Sequence, residues 1–213
     1  MDINHIHQDS NLNKLIKEYQ SFYKEFYNGQ DEISHVPAIR SIDHIGGFIR
    51  SNLNSDSRIL EYGCATGFNL RYLKSIGYKN LHGIDALSKF IKIAESLSDD
   101  IDYTIANFGD GNSLSSLKLK YDFIFTRGVL QQYKKSDEIE NKLDKSGDSV
   151  KHINNIVKAF NKLLDINGLV FIVEGCGLEK WDKIFEQNGF ETFGKEDEGF
   201  HGDRFAYRKV KEN

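Results

Sequence analysis

The chain has 213 residues, of which 39% are hydrophobic and 12% aromatic, and its formal net charge is -4. This length suits one α/β domain with a modest appendage, and the apolar content predicts a folded globule. The acidic balance argues against nucleic acid as a partner, which needs a basic surface. No apolar run reaches the roughly 18 residues of a membrane span, and the polar start is unlike a signal peptide, so we expect a cytoplasmic protein with no membrane partner.

The first 54 residues predict two amphipathic helices. Apolar residues recur at three- and four-residue spacing over residues 9–27, and Pro37 suits the first turn of a second helix that carries isoleucines on one side. The apolar face of the first helix either packs on a sheet edge, packs against a second subunit in a homodimer, or covers a ligand site as a lid. We therefore divide the chain into an N-terminal helical cap, residues 1–54, and a main domain, residues 55–213.

A strand, a glycine turn and a helix start follow at residues 58–73. Gly63 lets the chain turn sharply after the strand, and Gly67 would let a ligand approach the first turn of the helix. Unpaired N–H groups at such a helix start favour an anionic group. A dinucleotide fingerprint requires glycine at three places, of which only Gly63 is glycine here, since the others are Ala65 and Phe68. This weakens the interpretation as a nicotinamide site. The simplest alternative is an ordinary strand, turn and helix with no ligand.

Further strands alternate with helices along the chain. The second strand ends in Asp85, roughly 20 residues beyond Gly63, where a carboxylate on a neighbouring parallel strand meets a ribose, although Asp85 could instead cap the next helix. The third strand leads to Asn107 and Phe108, with Asp110 as an alternative contact. This alternation predicts a mostly parallel, doubly wound α/β sheet with ligand loops at the carboxyl ends of its strands. The remaining predicted strands are 121–126, 169–173, 190–193 and 204–210, the last two forming a hairpin.

The pattern of Glu61, Gly63 and Gly67, together with Asp85, resembles the first motifs of the class I S-adenosylmethionine-dependent methyltransferases. The resemblance implies a Rossmann-like, seven-stranded sheet with a C-terminal antiparallel hairpin, and S-adenosylmethionine as the cofactor. It implies that the glycine turn holds the methionine part, that Glu61 lies near the amino group, and that Asn107 contacts the adenine with Phe108 supporting the ring. The cofactor-binding residues that it implies are Glu61, Gly63, Cys64, Ala65, Gly67, Asn69, Asp85, Ala86, Asn107, Phe108, Thr126 and Arg127.

The stretch 121–133, with its Tyr-Asp start and Gly-Val-Leu exit, resembles methylases of bacterial surface-sugar biosynthesis, including those near pseudaminic acid pathways, although Gln132 stands where that subgroup has histidine. We therefore expect methyl transfer to an O or N atom of a small polar molecule such as a sugar or sugar nucleotide. His201 is the first candidate for a general base, because the family's hairpin loop often borders the acceptor, and Tyr133 and Glu174 are weaker candidates. The alternatives are a nicotinamide oxidoreductase and a non-catalytic, cofactor-binding scaffold subunit.

The two cysteines, Cys64 and Cys176, fall at the ends of strands that the family's sheet order separates by one further strand. Two strand spacings are about 9 to 10 Å, beyond the reach of a disulfide, so reduced thiols are expected. With no matching histidine spacing, the pair predicts no zinc site and no other metal.

Overall fold

The computed structural model describes residues 13–18, 20–21, 45–110, 117, 119–130, 148–174, 181–197 and 203–212. Within this part of the chain, seven strands form one sheet in the order β3-β2-β1-β4-β5-β7-β6. The strands are β1 Arg58–Tyr62, β2 Asn80–Asp85, β3 Asp102–Ile105, β4 Tyr121–Arg127, β5 Leu164–Glu174, β6 Phe190–Asp197 and β7 Asp203–Lys209. The helices are α1 at residues 45–52, α2 Phe68–Ser75, α3 Ser88–Leu97, α4 Asp148–Leu163 and α5 Asp182–Gln187, with a 3-10 turn at Phe108–Asp110.

The first five strands pair in parallel, and β7 pairs antiparallel with both β5 and β6. The predicted doubly wound sheet and its C-terminal hairpin are therefore confirmed. Because β1, β2 and β4 are in register, with Tyr62 beside both Ile84 and Thr126, their carboxyl ends lie side by side. The loops that leave these ends consequently meet at one edge of the sheet.

Two apolar layers cover the sheet, because successive side chains of a strand point to opposite faces. On β1, Ile59 faces a core that contains Leu70 of α2 and Ile91 of α3. Leu60 faces the other core, with Val157 of α4 and Phe185 of α5. Both faces of the central strands are thus buried, as continuous apolar runs such as Phe123–Phe125 predict.

The described part of the N-terminal region packs into the first of these cores. Ile45 and Ile49 of α1 and Ile16 of the helical residues 13–18 are all buried there. Glu18 also forms an ion pair with Arg71 of α2. This segment therefore lies against the main domain of its own chain, while the division at residue 54 and the homodimer stay predictions.

The fifth strand begins earlier than the sequence suggests. The stretch 165–168 reads as a turn, yet it belongs to β5, which pairs with β4 from Leu164 onward through an irregular register. Asn167 has a positive φ of 67° there, a conformation that asparagine tolerates, so a turn-like residue sits inside the irregular start of the strand.

Candidate functional site

The turn between β1 and α2 is fixed to the neighbouring strand by backbone hydrogen bonds. The N–H groups of Gly63 and Cys64 both donate to the carbonyl of Ile84 on β2, at 2.7 and 3.0 Å. Three residues of the turn have positive φ: Gly63 at 78°, Ala65 at 46° and Gly67 at 73°. Helix α2 begins after Gly67, and no side chain of the described residues forms a capping hydrogen bond at its N-terminus.

The two glycines of the turn are required by contacts on either side. A Cβ at Gly63 would stand 2.1 Å from Val129, which follows β4. A Cβ at Gly67 would stand 2.2 Å from the hydroxyl of Tyr103, whose ring crosses β2 over Gly83. The space that a side chain at Gly67 would need therefore holds the Tyr103 side chain, while a contact of the Gly67 backbone with a ligand stays a prediction.

Asp85 ties the end of β2 to the turn. One carboxylate oxygen accepts from the N–H of Ala65 at 3.0 Å, and the other accepts from the N–H of Leu87 at 2.9 Å. Helix α3 begins after Leu87 and has no side-chain cap. The carboxylate of Asp85 thus lies at the carboxyl edge of the sheet directly beside the glycine turn, as predicted for a group that meets a ribose.

Glu61 is the second carboxyl group beside this turn, and it is the residue before the last of β1. Asn69 of α2 donates to its Oε1 at 2.6 Å, and its Oε2 is buried without a hydrogen-bond partner. Burial raises the pKa of Glu61 to about 8, helped by the negative charge of Asp85, while Asn69 and the positive charge of Arg127 act in the opposite direction. A buried acceptor with no donor is a place where a ligand donor fits.

Asn107 and Phe108, which follow β3, make contacts within the protein at the carboxyl edge of the sheet. The Asn107 Oδ1 accepts from the N–H of Gly109 at 3.0 Å and from the Tyr62 hydroxyl at 3.4 Å. The Phe108 ring is buried and stacks on Tyr62 with a centroid distance of 4.8 Å. Phe108 therefore packs in the core against Tyr62, and its contact with a ligand ring stays a prediction.

Two apolar side chains that the sequence did not single out are exposed at this edge. Leu87, just after β2, is 52% exposed, and Ile105, the last residue of β3, is 55% exposed. Ala86, which the sequence did predict, is also exposed between Asp85 and Leu87. An apolar residue two places after a strand-ending acid could have served as the sequence signal for Leu87.

The remaining predicted residues lie on β4, in the turn, or outside the part of the chain that the structure describes. Thr126 is fully buried and its hydroxyl has no hydrogen-bond partner, while Arg127 is partly buried. Burial raises the pKa of the Cys64 thiol well above its ordinary value, so Cys64 is a free, protonated cysteine. His201, Tyr133 and Cys176 lie outside the described residues, and of Glu174 only the backbone at the end of β5 is described.

The fold and this edge define a class of protein. The carboxyl ends of β1, β2 and β3 bring together a glycine turn, two carboxyl groups and exposed apolar side chains at one edge of a seven-stranded sheet. This is the arrangement of the Rossmann-like methyltransferases. No helix among the described residues is both long enough and apolar enough to cross a bilayer.

Comparison with known proteins agrees with this class. The model of the methyltransferase domain family matches residues 37–196, well over half of the chain, and the chain belongs to this family. A search of curated proteins finds no match.

Solved structures with the same fold have low sequence identity to the chain. A TehB-like S-adenosylmethionine-dependent methyltransferase from Corynebacterium glutamicum is 15% identical, with a TM-score of 0.61 over 92% of this chain and 98% of that one. Magnesium protoporphyrin IX methyltransferase from Synechocystis PCC 6803, solved with bound S-adenosylmethionine, is 16% identical, with a TM-score of 0.61 over 88% and 89%. An N-methyltransferase from Bradyrhizobium japonicum is 15% identical, with a TM-score of 0.59 over 82% and 97%.

These findings confirm two predictions from the sequence: the Rossmann-like fold and the methyltransferase family. The nicotinamide oxidoreductase is set aside by the family match, in agreement with Ala65 and Phe68 at the places where a dinucleotide fingerprint has glycine.

Proposed function

We propose that the chain transfers a methyl group from S-adenosylmethionine to an O or N atom of a small polar acceptor of the sugar or sugar nucleotide class. The observation that carries the cofactor site is the unpartnered Oε2 of Glu61, buried beside the turn that Asp85 holds in place. An ammonium group is the donor that fits this oxygen best, because it can both satisfy the acceptor and balance a carboxylate charge.

In this proposal different residues of the chain bind different parts of the cofactor. Glu61, oriented by Asn69, receives the amino group, and the carboxylate of Asp85 accepts from the ribose hydroxyls. The exposed side chains of Leu87 and Ile105 flank the adenine, with Asn107 at its amino edge. The other predicted contacts are Gly63, Cys64, Ala65, Gly67, Ala86, Phe108, Thr126 and Arg127.

The cofactor supplies a methyl carbon that its sulfonium already activates. The protein then has two tasks: to align the acceptor atom in line with that carbon and to keep water away. On the β4 side of the turn, the Val129 side chain fills the space that a side chain at Gly63 would need. A general base is needed only for an acceptor that must lose a proton, and we propose His201 for this role, with Tyr133 as the second candidate.

The sugar-type acceptor is supported by the sequence of β4 and its exit, where Tyr121 and Asp122 begin the strand and Gly128, Val129 and Leu130 leave it. The net charge of -4 favours a small molecule over nucleic acid. Proteins of the same fold include a ribosomal protein L11 methylase and a magnesium protoporphyrin IX methyltransferase, so the shared fold does not select among acceptors.

Titration calorimetry with S-adenosylmethionine and with NAD tests the cofactor. Binding of the first alone is expected, and binding of NAD alone would overturn the proposal. Turnover is then measured over a panel of sugar nucleotides, free sugars, amines and a ribosomal protein fraction. Methylation confined to the last would contradict the sugar-type acceptor. For the base, His201→Ala is expected to lower turnover by about 10²- to 10⁴-fold with cofactor affinity unchanged, whereas His152→Ala on α4 serves as the matched control.

A further inference from the structure

At the described carboxyl edge of the sheet, the Glu61 carboxyl group has one oxygen without a hydrogen-bond partner, whereas both oxygens of Asp85 accept hydrogen bonds. The residue is 2% exposed, and its side chain reaches from β1 to Asn69 of α2. One neutral donor, the Asn69 amide, reaches Oε1 at 2.6 Å, and no hydrogen-bond donor reaches Oε2. A carboxylate in such a place lacks the two or three donors that normally stabilise its charge.

The charged and titratable groups around Glu61 come from every element packed against it. Asp85 at the end of β2 disfavours a second negative charge, and Arg127 of β4 favours it. The neutral Cys64 thiol and the buried Tyr103 phenol also interact with Glu61, and the pKa values of both are raised, chiefly by burial. Burial outweighs Asn69 and Arg127, so the pKa of Glu61 reaches about 8 and the group carries a proton at neutral pH.

We propose that cofactor binding expels this proton: the cofactor's ammonium group takes the place of the proton at Oε2, and the proton leaves to solvent. This inference rests on the proposed function, in which Glu61 receives the amino group. The balance is simple, since the carboxylic acid loses H⁺ to the buffer and the ammonium N–H donates to the resulting carboxylate. No covalent bond other than the O–H bond changes.

The coupling makes cofactor affinity depend on pH with a definite sign. Below a pKa of about 8, each binding event must release a proton, so affinity rises about tenfold per pH unit between pH 6 and 7. Above that pKa the proton is already absent, and affinity no longer rises through Glu61. Glu61→Gln has the shape of the protonated acid but cannot ionise, so its affinity is expected to be weaker and independent of pH over this range.

Titration calorimetry with S-adenosylhomocysteine, whose ammonium group is intact, measures the proton directly. Binding enthalpies at pH 7 in phosphate and in Tris, two buffers with very different ionisation enthalpies, give the number of protons released. We expect about 0.9 proton per site, since a group with a pKa of about 8 is mostly protonated at pH 7. The release disappears in Glu61→Gln and persists in Glu95→Gln, a matched change at an exposed glutamate of α3.

Infrared difference spectroscopy identifies the group that loses the proton. The carbonyl band of a protonated carboxylic acid is expected to disappear when S-adenosylhomocysteine binds to the wild type, with no such change in Glu61→Gln. Proton release with this band retained would place the lost proton on the cofactor's amine and overturn the inference. Cofactor binding without proton release would also overturn it but leave the proposed function standing. Absence of S-adenosylmethionine and S-adenosylhomocysteine binding would refute both.

Discussion

The Tyr103 hydroxyl on β3 occupies the space that a side chain at Gly67 would need, and an added Cβ there would lie 2.2 Å from its oxygen. Gly67 also has a φ of 73°. The cradle at the end of β1 is thus shaped by a residue from a strand two positions away in the sheet. Gly83 makes this reach possible, because a Cβ on it would meet the Tyr103 ring at 2.7 Å.

Gly67→Ala is expected to lower the free energy of unfolding by about 1 to 3 kcal/mol more than Gly77→Ala does, measured by urea denaturation. Both glycines have positive φ, but a Cβ at Gly77 meets nothing within 4 Å, so the difference isolates the clash with Tyr103. Adding Tyr103→Phe to Gly67→Ala removes the nearest atom and should recover part of the loss. Equal losses in the two alanine variants would show that the Tyr103 contact is unimportant.

Ala65→Gly is expected to stabilise the free protein by about 0.5 to 1 kcal/mol. Ala65 has a φ of 46°, which costs a residue with a Cβ about 1 to 2 kcal/mol, and the greater entropy of glycine in the unfolded chain offsets part of this gain. Ala94→Gly in the interior of α3 is the control and should lose about 1 kcal/mol or more. The explanation fails if Ala65→Gly loses as much stability as the control in thermal or urea unfolding.

Asp85→Ala is expected to affect both the free protein and the cofactor complex. Two backbone N–H groups, of Ala65 and Leu87, lose their acceptor, which should lower the free energy of unfolding by about 1 to 3 kcal/mol. Calorimetry with S-adenosylhomocysteine should show a further loss of affinity of about 1 to 3 kcal/mol if the same carboxylate holds the ribose. Asp99→Ala, at an exposed acid after α3, should change neither quantity, and unchanged affinity in Asp85→Ala would refute the ribose contact.

Glu61 should also make the stability of the cofactor-free protein depend on pH. Between its ordinary pKa of 4.5 and the folded value of about 8, the folded chain holds a proton that the unfolded chain releases. This contribution to stability is complete below pH 4.5 and is lost as pH rises through 8. We therefore expect the wild type to lose several kcal/mol relative to Glu61→Gln between pH 5 and 8.

The measurement for this pH effect is urea unfolding of both proteins across the interval, with Glu95→Gln as the matched control that keeps the wild-type slope. Parallel pH profiles of wild type and Glu61→Gln would mean that Glu61 is ionised in the folded protein. That result would also remove the basis for proton release on cofactor binding.

The sequence by itself determined the sheet, the family and the two acids of the site. Apolar runs and their spacing locate β1, β2 and β4, whereas the order of the strands was expected only from the resemblance to the methyltransferase family. Glu61 and Asp85 could be identified because each ends or nearly ends a strand beside the glycine turn, so local sequence fixes their position at the carboxyl edge.

The tertiary structure alone decided which atoms around the turn are satisfied and which are not. The contact of Tyr103 with Gly67 joins separate elements of the fold, and the spacing of residues along the sequence does not predict it. The exposure of Leu87 and Ile105 likewise depends on the folded structure. The pKa of Glu61 has the same origin, because burial and the charge of Asp85 on β2 raise it and the charge of Arg127 on β4 opposes them. Periodicity specifies the element on which a side chain lies, whereas desolvation depends on everything that the fold packs around it.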